Sequence, residues 1–261
     1  MEYVLQMVEF AGYFLPVQYK DGVLTSHLHT RSEGCASLFD VSHMGQLRWY
    51  GKDAADFLET VLVGDIQGLQ EVRPLDLPVL SGHGLSARLH PRRLVCRYCC
   101  RAQNEGRLSI MTTERGGIVD DSVLARFPGY INMVVNGATK HKDMAHLEHY
   151  LEQYKSSGSK DVHFEYLDSQ QLLALQGPGA ASVLQRLVKP DLSRMNFMIA
   201  HTMDVAGIAD CNVTRCGYTG EDGFEISVPG DKASRLATAL LEEEEVKPAG
   251  LGARDRCVYF V

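Results

Sequence analysis

Gly217-Tyr218-Thr219-Gly220-Glu221-Asp222-Gly223-Phe224-Glu225-Ile226 is the stretch whose reading decides the fold. Three glycines and the acids Glu221 and Asp222 interrupt a run that is otherwise strand-like. Cys211-Asn212-Val213-Thr214-Arg215 stands before it and Ile226-Ser227-Val228-Pro229 after it, both alternating with the period of half-buried strands. The stretch therefore reads as a glycine-rich turn between two paired strands, with the carboxylate of Glu225 directed by the second. A phosphate loop is only weakly supported, because these glycines open no helix, no lysine follows, and the acids would repel a phosphate. On chemistry alone a plain acidic hairpin turn and a binding role for Glu225 both stay open.

Outward from this stretch, composition sets the bounds. The 261 residues are 45% hydrophobic, enough for one large or two medium domains with a sizeable core. A formal net charge of −7 argues against a general nucleic-acid binder, which needs phosphate-neutralising basic surface. No apolar run reaches the length of a membrane span. The start carries Glu2 and Glu9 and no arginine before Arg31, unlike a secretory signal or an Arg-rich transit peptide. Seven cysteines, an odd number in a chain that needs no staples, are expected to be mostly reduced in an intracellular setting.

Residues 10 to 19 read as a strand ending in a proline bend at Pro16. Val23 to about Ser32 reads as a polar helix with His27 and His29 outside. Ser37 to Met44 alternates like a strand, with Leu38, Asp40, Ser42 and Met44 on one side; that face suits a pocket wall as well as a core. Gln46 to Tyr50 is a strand, and Asp53 to Leu62 an amphipathic helix burying Ala54, Phe57, Leu58, Val61 and Leu62. Residues 75 to 103 lose all sustained period and are locally basic. Cys96-x-x-Cys99 there has half the spacing of a zinc knuckle, but no second pair follows, so an inserted loop is expected and no metal centre.

Order resumes at Gly106. Gly116-Gly117-Ile118-Val119-Asp120-Asp121 places two adjacent acids on a strand, where they face opposite ways. One of them turned inward would be a costly buried carboxylate and a functional candidate, and the residues alone leave the two tied. Tyr130 to Val135 is a strand closed by Asn136-Gly137. Lys142 to Tyr154 is a periodic helix that leaves His146 and His149 exposed. Val162 to Leu167 and Gln171 to Leu175 are strands, Pro178 opens a helix to about Val188, and Phe197 to Asp210 supplies one or two further strands. Asp231 is placed to cap a helix that Pro248 ends, and Gly250 to Asp255 begins another. Antiparallel runs of strands with helices between them predict an α+β fold, helices packed on antiparallel sheets, with no dinucleotide fingerprint. Cys216 is expected to be a buried strand cysteine.

Eight segments keep a common order. They are Phe10-Ala11-Gly12 with Pro16 to Tyr19, Ser37 to Met44, Val63 to Ile66, Gly106 to Thr112, Gly116 to Asp121, Leu173 to Pro178, Thr214 to Pro229, and Gly250 to Asp255. Together they resemble the aminomethyltransferase family, the T-protein of the glycine cleavage system. The resemblance implies transfer of the one-carbon unit of an aminomethyl group from the dihydrolipoyl arm of H-protein to tetrahydrofolate, with release of ammonia. It makes Asp121 the catalytic acid, orienting the folate nitrogen and stabilising charge as the aminomethyl carbon becomes iminium-like. Glu225 would accept hydrogen bonds from the pterin ring. Arg254 matches a binding position, and Asn136, Met44, Leu108 and Val134 match residues lining the folate pocket. Mitochondrial localisation follows from the resemblance, as does a fold of intertwined folate-binding lobes spanning 1–261.

Departures from the family pattern are also present. Tyr13 stands where a tryptophan is usual, and residues 75 to 103 intervene between Arg73-Pro74 and Asn104-Glu105-Gly106. After Arg254-Asp255 the sequence leaves the family pattern, so a third, β-barrel lobe is expected to be missing. A folate-binding module without transferase activity, or an inactive truncated form, is the alternative reading.

Overall fold

The computed structural model describes residues 4–69 and 105–259. The segment 75–103, expected as an inserted loop, and the pair Cys96 and Cys99 within it lie outside the described residues. The chain opens with β1 (Val4–Phe10), β2 (Tyr13–Tyr19), α1 (Gly22–Arg31), β3 (Ala36–Asp40), β4 (Gly45–Tyr50), α2 (Ala54–Val61) and β5 (Leu62–Val63). Then come β6 (Gly106–Thr112), β7 (Ile118–Phe127), β8 (Tyr130–Val135), α3 (Lys140–Ser156), β9 (His163–Tyr166), β10 (Gln170–Gln176) and α4 (Ala180–Leu187). The remainder is β11 (Ile199–Val205), β12 (Ile208–Arg215), β13 (Gly223–Pro229), α5 (Gly230–Leu241), β14 (Val246–Ala249) and α6 (Leu251–Tyr259).

Apart from the β1–β2 hairpin, the strands form two six-stranded sheets, in the orders β11-β12-β13-β10-β3-β14 and β5-β6-β7-β8-β4-β9. The chain interleaves them. β3 belongs to the first sheet, β4 to β9 make the second, and β10 to β14 return to the first. Neighbouring strands run antiparallel except β14 beside β3, which is parallel. The α+β class with helices on antiparallel sheets therefore describes the protein.

Each sheet buries one face under two helices. In the first, Phe224, Ile226 and Val228 of β13 meet Val183 and Leu184 of α4 and Leu236 and Leu240 of α5. In the second, Leu47, Trp49, Met111, Leu124 and Met133 meet Phe57 and Leu58 of α2 and Leu147 and Leu151 of α3. Because strand side chains alternate, the opposite faces are left for each other. A third cluster, Phe39, Val41, Leu172, Ala174, Ala249 and Ala253, packs there with Met44, Val134 and Tyr218. Across the same seam Ser227 Oγ donates to Gln46 Oε1 at 2.6 Å.

Several local expectations are corrected. Residues 10 to 19 hold a turn, with Ala11 and Gly12 at φ 54° and 81°; positive φ at both central residues suits a tight hairpin, so two strands replace one. Pro16 lies within β2. β3 stops at Asp40, whose Oδ1 accepts from the Ser42 N–H at 3.0 Å and bends the chain before the alternation reaches Met44. His27 is buried, its Nδ1 3.3 Å from Cys257 Sγ, because α6 packs on the outer side of α1. His29 is half-buried beside Ser37, and His146 is half-buried while His149 is exposed. Pro178 stands ahead of α4, whose N-cap is Gly179. Asp231 sits inside the first turn of α5 without capping it, and Pro248 lies within β14. Cys216 is buried, just past the end of β12.

The opening stretch is a turn between paired strands, with Val213 opposite Ile226 and Thr214 opposite Glu225. Two of its three glycines, Gly217 and Gly223, have one shared reason, while Gly220 adopts a positive φ of 78°. The buried side chain of Gln176, at the end of β10, fills the inside of the turn. A Cβ on Gly217 would fall 2.0 Å from Gln176 Oε1, and one on Gly223 would fall 2.3 Å from Gln176 Nε2. Gln176 Nε2 donates to the Cys216 carbonyl at 3.0 Å, and the Thr219 hydroxyl donates to Gln176 Oε1 at 3.0 Å. Outside, Arg215 grips Asp222 through two nitrogens at 2.8 and 2.5 Å, and Arg31 reaches Glu221 at 3.1 Å. Gln176→Leu leaves a buried carbonyl and hydroxyl unpaired, so it should lower the unfolding free energy by about 2–4 kcal/mol. Urea denaturation reads this directly, and a loss under about 0.5 kcal/mol would mean that the amide does not hold the turn.

Candidate functional site

A cavity of about 350 Å³ opens where the seam between the sheets reaches the surface. This lies within the usual size of a small-molecule site. All seven residues singled out from the sequence, Met44, Leu108, Asp121, Val134, Asn136, Glu225 and Arg254, line it. They arrive from seven different elements or turns. Strand parity explains how.

On β13, Phe224 and Ile226 point into the helix-covered core, so Glu225 between them faces the seam. On β7, Asp120 pairs with the core residue Met111 and faces α3, whereas Asp121 pairs with Ile110 and faces the cavity. Register thus puts on the cavity side the acid that the resemblance implies. Leu108 and Val123, opposite each other, and Val134, opposite Val123, continue the cavity face of this sheet. Met44 enters from the turn before β4, Asn136 from the turn after β8, and Arg254 from the second turn of α6.

Two electrostatic clusters face each other across this space. At one end burial raises the pKa of Glu225, an effect partly offset by Arg254 and by the Cys216 thiol, which donates to it. The Arg254 guanidinium lies 4.6 Å over the Tyr218 ring, and its Nη1 is 3.4 Å from His43 Nε2. Burial and then Arg254 push His43 down to about 4, so it is neutral near pH 7 and accepts from the arginine. Gly137 makes room for this imidazole, since a Cβ there would fall 2.4 Å from His43 Cδ2. Arg254 Nε is buried with no hydrogen-bond partner among the described residues. An acceptor-only carboxylate beside an unspent guanidinium donor suits a flat, polar heterocycle with both donors and acceptors on its edge.

At the other end Asn136 Nδ2 donates to Asp121 Oδ1 at 2.5 Å and to Asp120 Oδ1 at 2.9 Å. The Asp121 carboxylate is thereby held by one bond and otherwise exposed at the cavity. Burial alone would raise the pKa of Asp120, but hydrogen bonds from Thr139, Asn136 and the Asp121 N–H outweigh it and hold the group below the usual carboxylate range. Leu108, 60% exposed, and Phe197, 64% exposed, form an apolar rim beside Asp121. No group of three or more metal-ligating side chains occurs among the described residues.

Residue-by-residue reading did not single out Phe197, Met198, Ser122, Val123, Cys216, Gly217 or Tyr218 as lining residues. Ser122 and Val123 follow Asp121 directly, and Cys216 to Tyr218 lie in the opening stretch, so adjacency was a usable signal. Phe197 and Met198 carried none. They reach the cavity because Met198 O accepts from Gly106 N, tying the start of β11 to β6 of the other sheet.

Comparison with known proteins agrees with this architecture. The family described as "GCVT N-terminal domain" matches residues 2–75 and 79–258. The mitochondrial aminomethyltransferase of Dictyostelium discoideum is 42% identical over 258 residues, covering 96% of this chain and 55% of the relative. That of Homo sapiens is 44% identical over 251 residues, covering 96% and 53%. Among solved structures, the glycine cleavage system aminomethyltransferase T from Bartonella henselae superposes with a TM-score of 0.75 at 33% identity, covering 97% of this chain and 58% of that one. The chain thus spans about half the length of the curated relatives it matches. A family match over nearly the whole chain and a shared fold carry one conclusion: this chain belongs to the GCVT family, through its N-terminal domain.

Proposed function

We propose that this protein binds tetrahydrofolate in the seam cavity and acts as an aminomethyltransferase of glycine cleavage. It would take the aminomethyl group from the dihydrolipoyl arm of H-protein and release ammonia. The observation that carries the reading is the convergence of Asp121, Asn136, Glu225 and Arg254 on one cavity from distant parts of the chain. The relatives' names support both the activity and a mitochondrial location.

Tetrahydrofolate supplies the nitrogen nucleophile that takes up the one-carbon unit. Glu225 accepts from the amino and ring N–H groups of the pterin, and Arg254 Nε donates to its acceptor edge. His43 and Tyr218 hold the guanidinium in place for this. Met44, Val134 and Leu108 flank the ring and keep water from the reacting end. Asp121, held by Asn136, orients the nucleophilic nitrogen and offers negative charge where positive charge develops on the transferred carbon. The exposed rim of Leu108 and Phe197 admits the carrier arm at that same end.

The decisive assay measures tetrahydrofolate-dependent ammonia release from aminomethyl-loaded H-protein, alongside tetrahydrofolate binding. Release with binding supports the transferase. Binding without release supports a folate-binding module, and neither supports an inactive form. Asp121→Asn should lower kcat by about 100-fold or more while changing the binding of tetrahydrofolate less than about threefold. Parent-like turnover in that variant would remove Asp121 from the mechanism.

Glu225 has a pH signature. Its pKa is raised, so it protonates and loses acceptor capacity at a higher pH than an ordinary glutamate does. Tetrahydrofolate affinity should therefore fall on acidification, beginning above the usual carboxylate range. Glu225→Gln should weaken binding by about 10- to 100-fold near pH 7 and abolish that acid dependence. Calorimetric titration between pH 5 and 8 checks both, and an unchanged acid limb in the variant would assign the effect to another group.

A further inference from the structure

Asp143 and Lys140 are the buried charged residues of α3, and the proposed mechanism uses neither; Asp143, the one fully buried, stands behind the catalytic end of the cavity. Its side chain is fully buried, and neither carboxyl oxygen has a hydrogen-bond partner of ordinary geometry among the described residues. The neighbouring donors are committed elsewhere. The Thr139 hydroxyl donates to Asp120 Oδ2, and Asn136 Nδ2 is shared between Asp120 and Asp121. Lys142 Nζ donates to the Val119 carbonyl at 2.7 Å and lies only within 3.7 Å of Asp143 and 3.9 Å of Asp120.

An unpaired carboxylate in such a place costs several kcal/mol, and a group so placed takes up a proton instead. Asp120 is the acceptor that faces it. Two acceptor-only groups side by side are satisfied only by a proton between them, as in carboxyl pairs that share one. A helix-stabilising acid would instead sit exposed and accept from the first N–H groups of α3; Asp143 does neither.

We propose that Asp143 is a positioning residue: with Asp120 it holds one proton, and this pair fixes the Asn136 amide and, through it, the Asp121 carboxylate at the cavity. The inference rests on the transferase reading for its consequence, though not for its geometry. Protonated Asp143 donates to Asp120 and keeps it an anion. Asp120 can then accept from Thr139, from Asn136 Nδ2 and from the Asp121 N–H at 2.8 Å. Those bonds aim the remaining N–H character of Asn136 at Asp121. The charged groups acting on Asp143 are Asp120 from β7 and Lys142 from its own helix; burial first and Asp120 second push its pKa up to about 6. Above that pH the pair loses its proton, and the second charge beside Asp120 shifts the Asn136 amide without freeing it from Asp121.

The test follows the groups directly in the full chain, by NMR of labelled aspartate carboxyls and of asparagine side-chain amides, with Asp143→Asn and Asp143→Leu as variants. In the parent, one aspartate carboxyl should titrate about two pH units above the usual range. The Asn136 amide resonances should shift with the same midpoint. In Asp143→Asn, where an amide donor replaces the shared proton, that titration should vanish and the Asn136 resonances should stay at their low-pH positions. Asp143→Leu fills the space without a donor; it should displace the Asn136 resonances and lower kcat about tenfold, with KM for tetrahydrofolate within about twofold. No raised carboxyl titration, or Asn136 resonances blind to both pH and substitution, overturns the proposal. If Asp143→Leu does not fold, the parent and Asp143→Asn titrations decide alone. If the parent itself releases no ammonia, the transferase reading fails, and the resonances still decide the pair.

Discussion

The side-chain amide of Gln176 is the contact on which the arrangement of the site depends. It sits at the end of β10, the strand that pairs with both β3 and β13, and fills the inside of the glycine-rich turn. Its amide meets one backbone acceptor and one hydroxyl donor of that turn. The turn in turn sets the start of β13, hence which of its side chains face the seam. Without glycine at 217 and 223 the chain cannot close on that amide, and Glu225 loses its bearing.

The two sheets divide the chemistry between them. The first carries Glu225, met by Arg254 of α6, His43 of the turn before β4, neutral near pH 7, and the half-buried Tyr218. The second carries Asp121 with its hydrogen-bonded support, Asp120 on β7 and Asn136 and Thr139 in the turn between β8 and α3. The proposed recognition end and the proposed reacting end thus belong to different folding layers. The interleaved path, with β4 to β9 inserted between β3 and β10, brings them face to face without a linker. Such separation lets each carboxylate be tuned alone: burial takes Glu225 upward at one end, and hydrogen bonds that outweigh burial take Asp120 downward at the other.

Much of this was legible in residues alone, and the misses share a cause. The amphipathic pattern of 53–62 located α2 and its buried face, because a helix repeats its environment every turn. The alternation around 211–229 located β12, the turn and β13. His27 was misread as exposed because its burial comes from α6, more than two hundred residues later in the chain. The strand from Ser37 broke early because a single Asp40 side chain caught the Ser42 N–H, an event too local for periodicity to show. Asp143 went unremarked because nothing in its own helix marks it; its partner Asp120 lies on a strand of the sheet beneath.

By itself the sequence determined the class of fold, the positions of most strands and helices, and the short set of polar residues worth weighing. These are encoded in near neighbours, through period, turn chemistry and motif. Only the tertiary structure supplied the geometry: that Asp121, the acid the resemblance implies, faces the cavity by register, that Glu225 and Arg254 share its other end, and that Asp143 stands behind it without a hydrogen-bond partner. Those outcomes depend on strand register and on which faces two sheets leave for each other. Register is a relation between distant segments, and it acquires a value only when they pair.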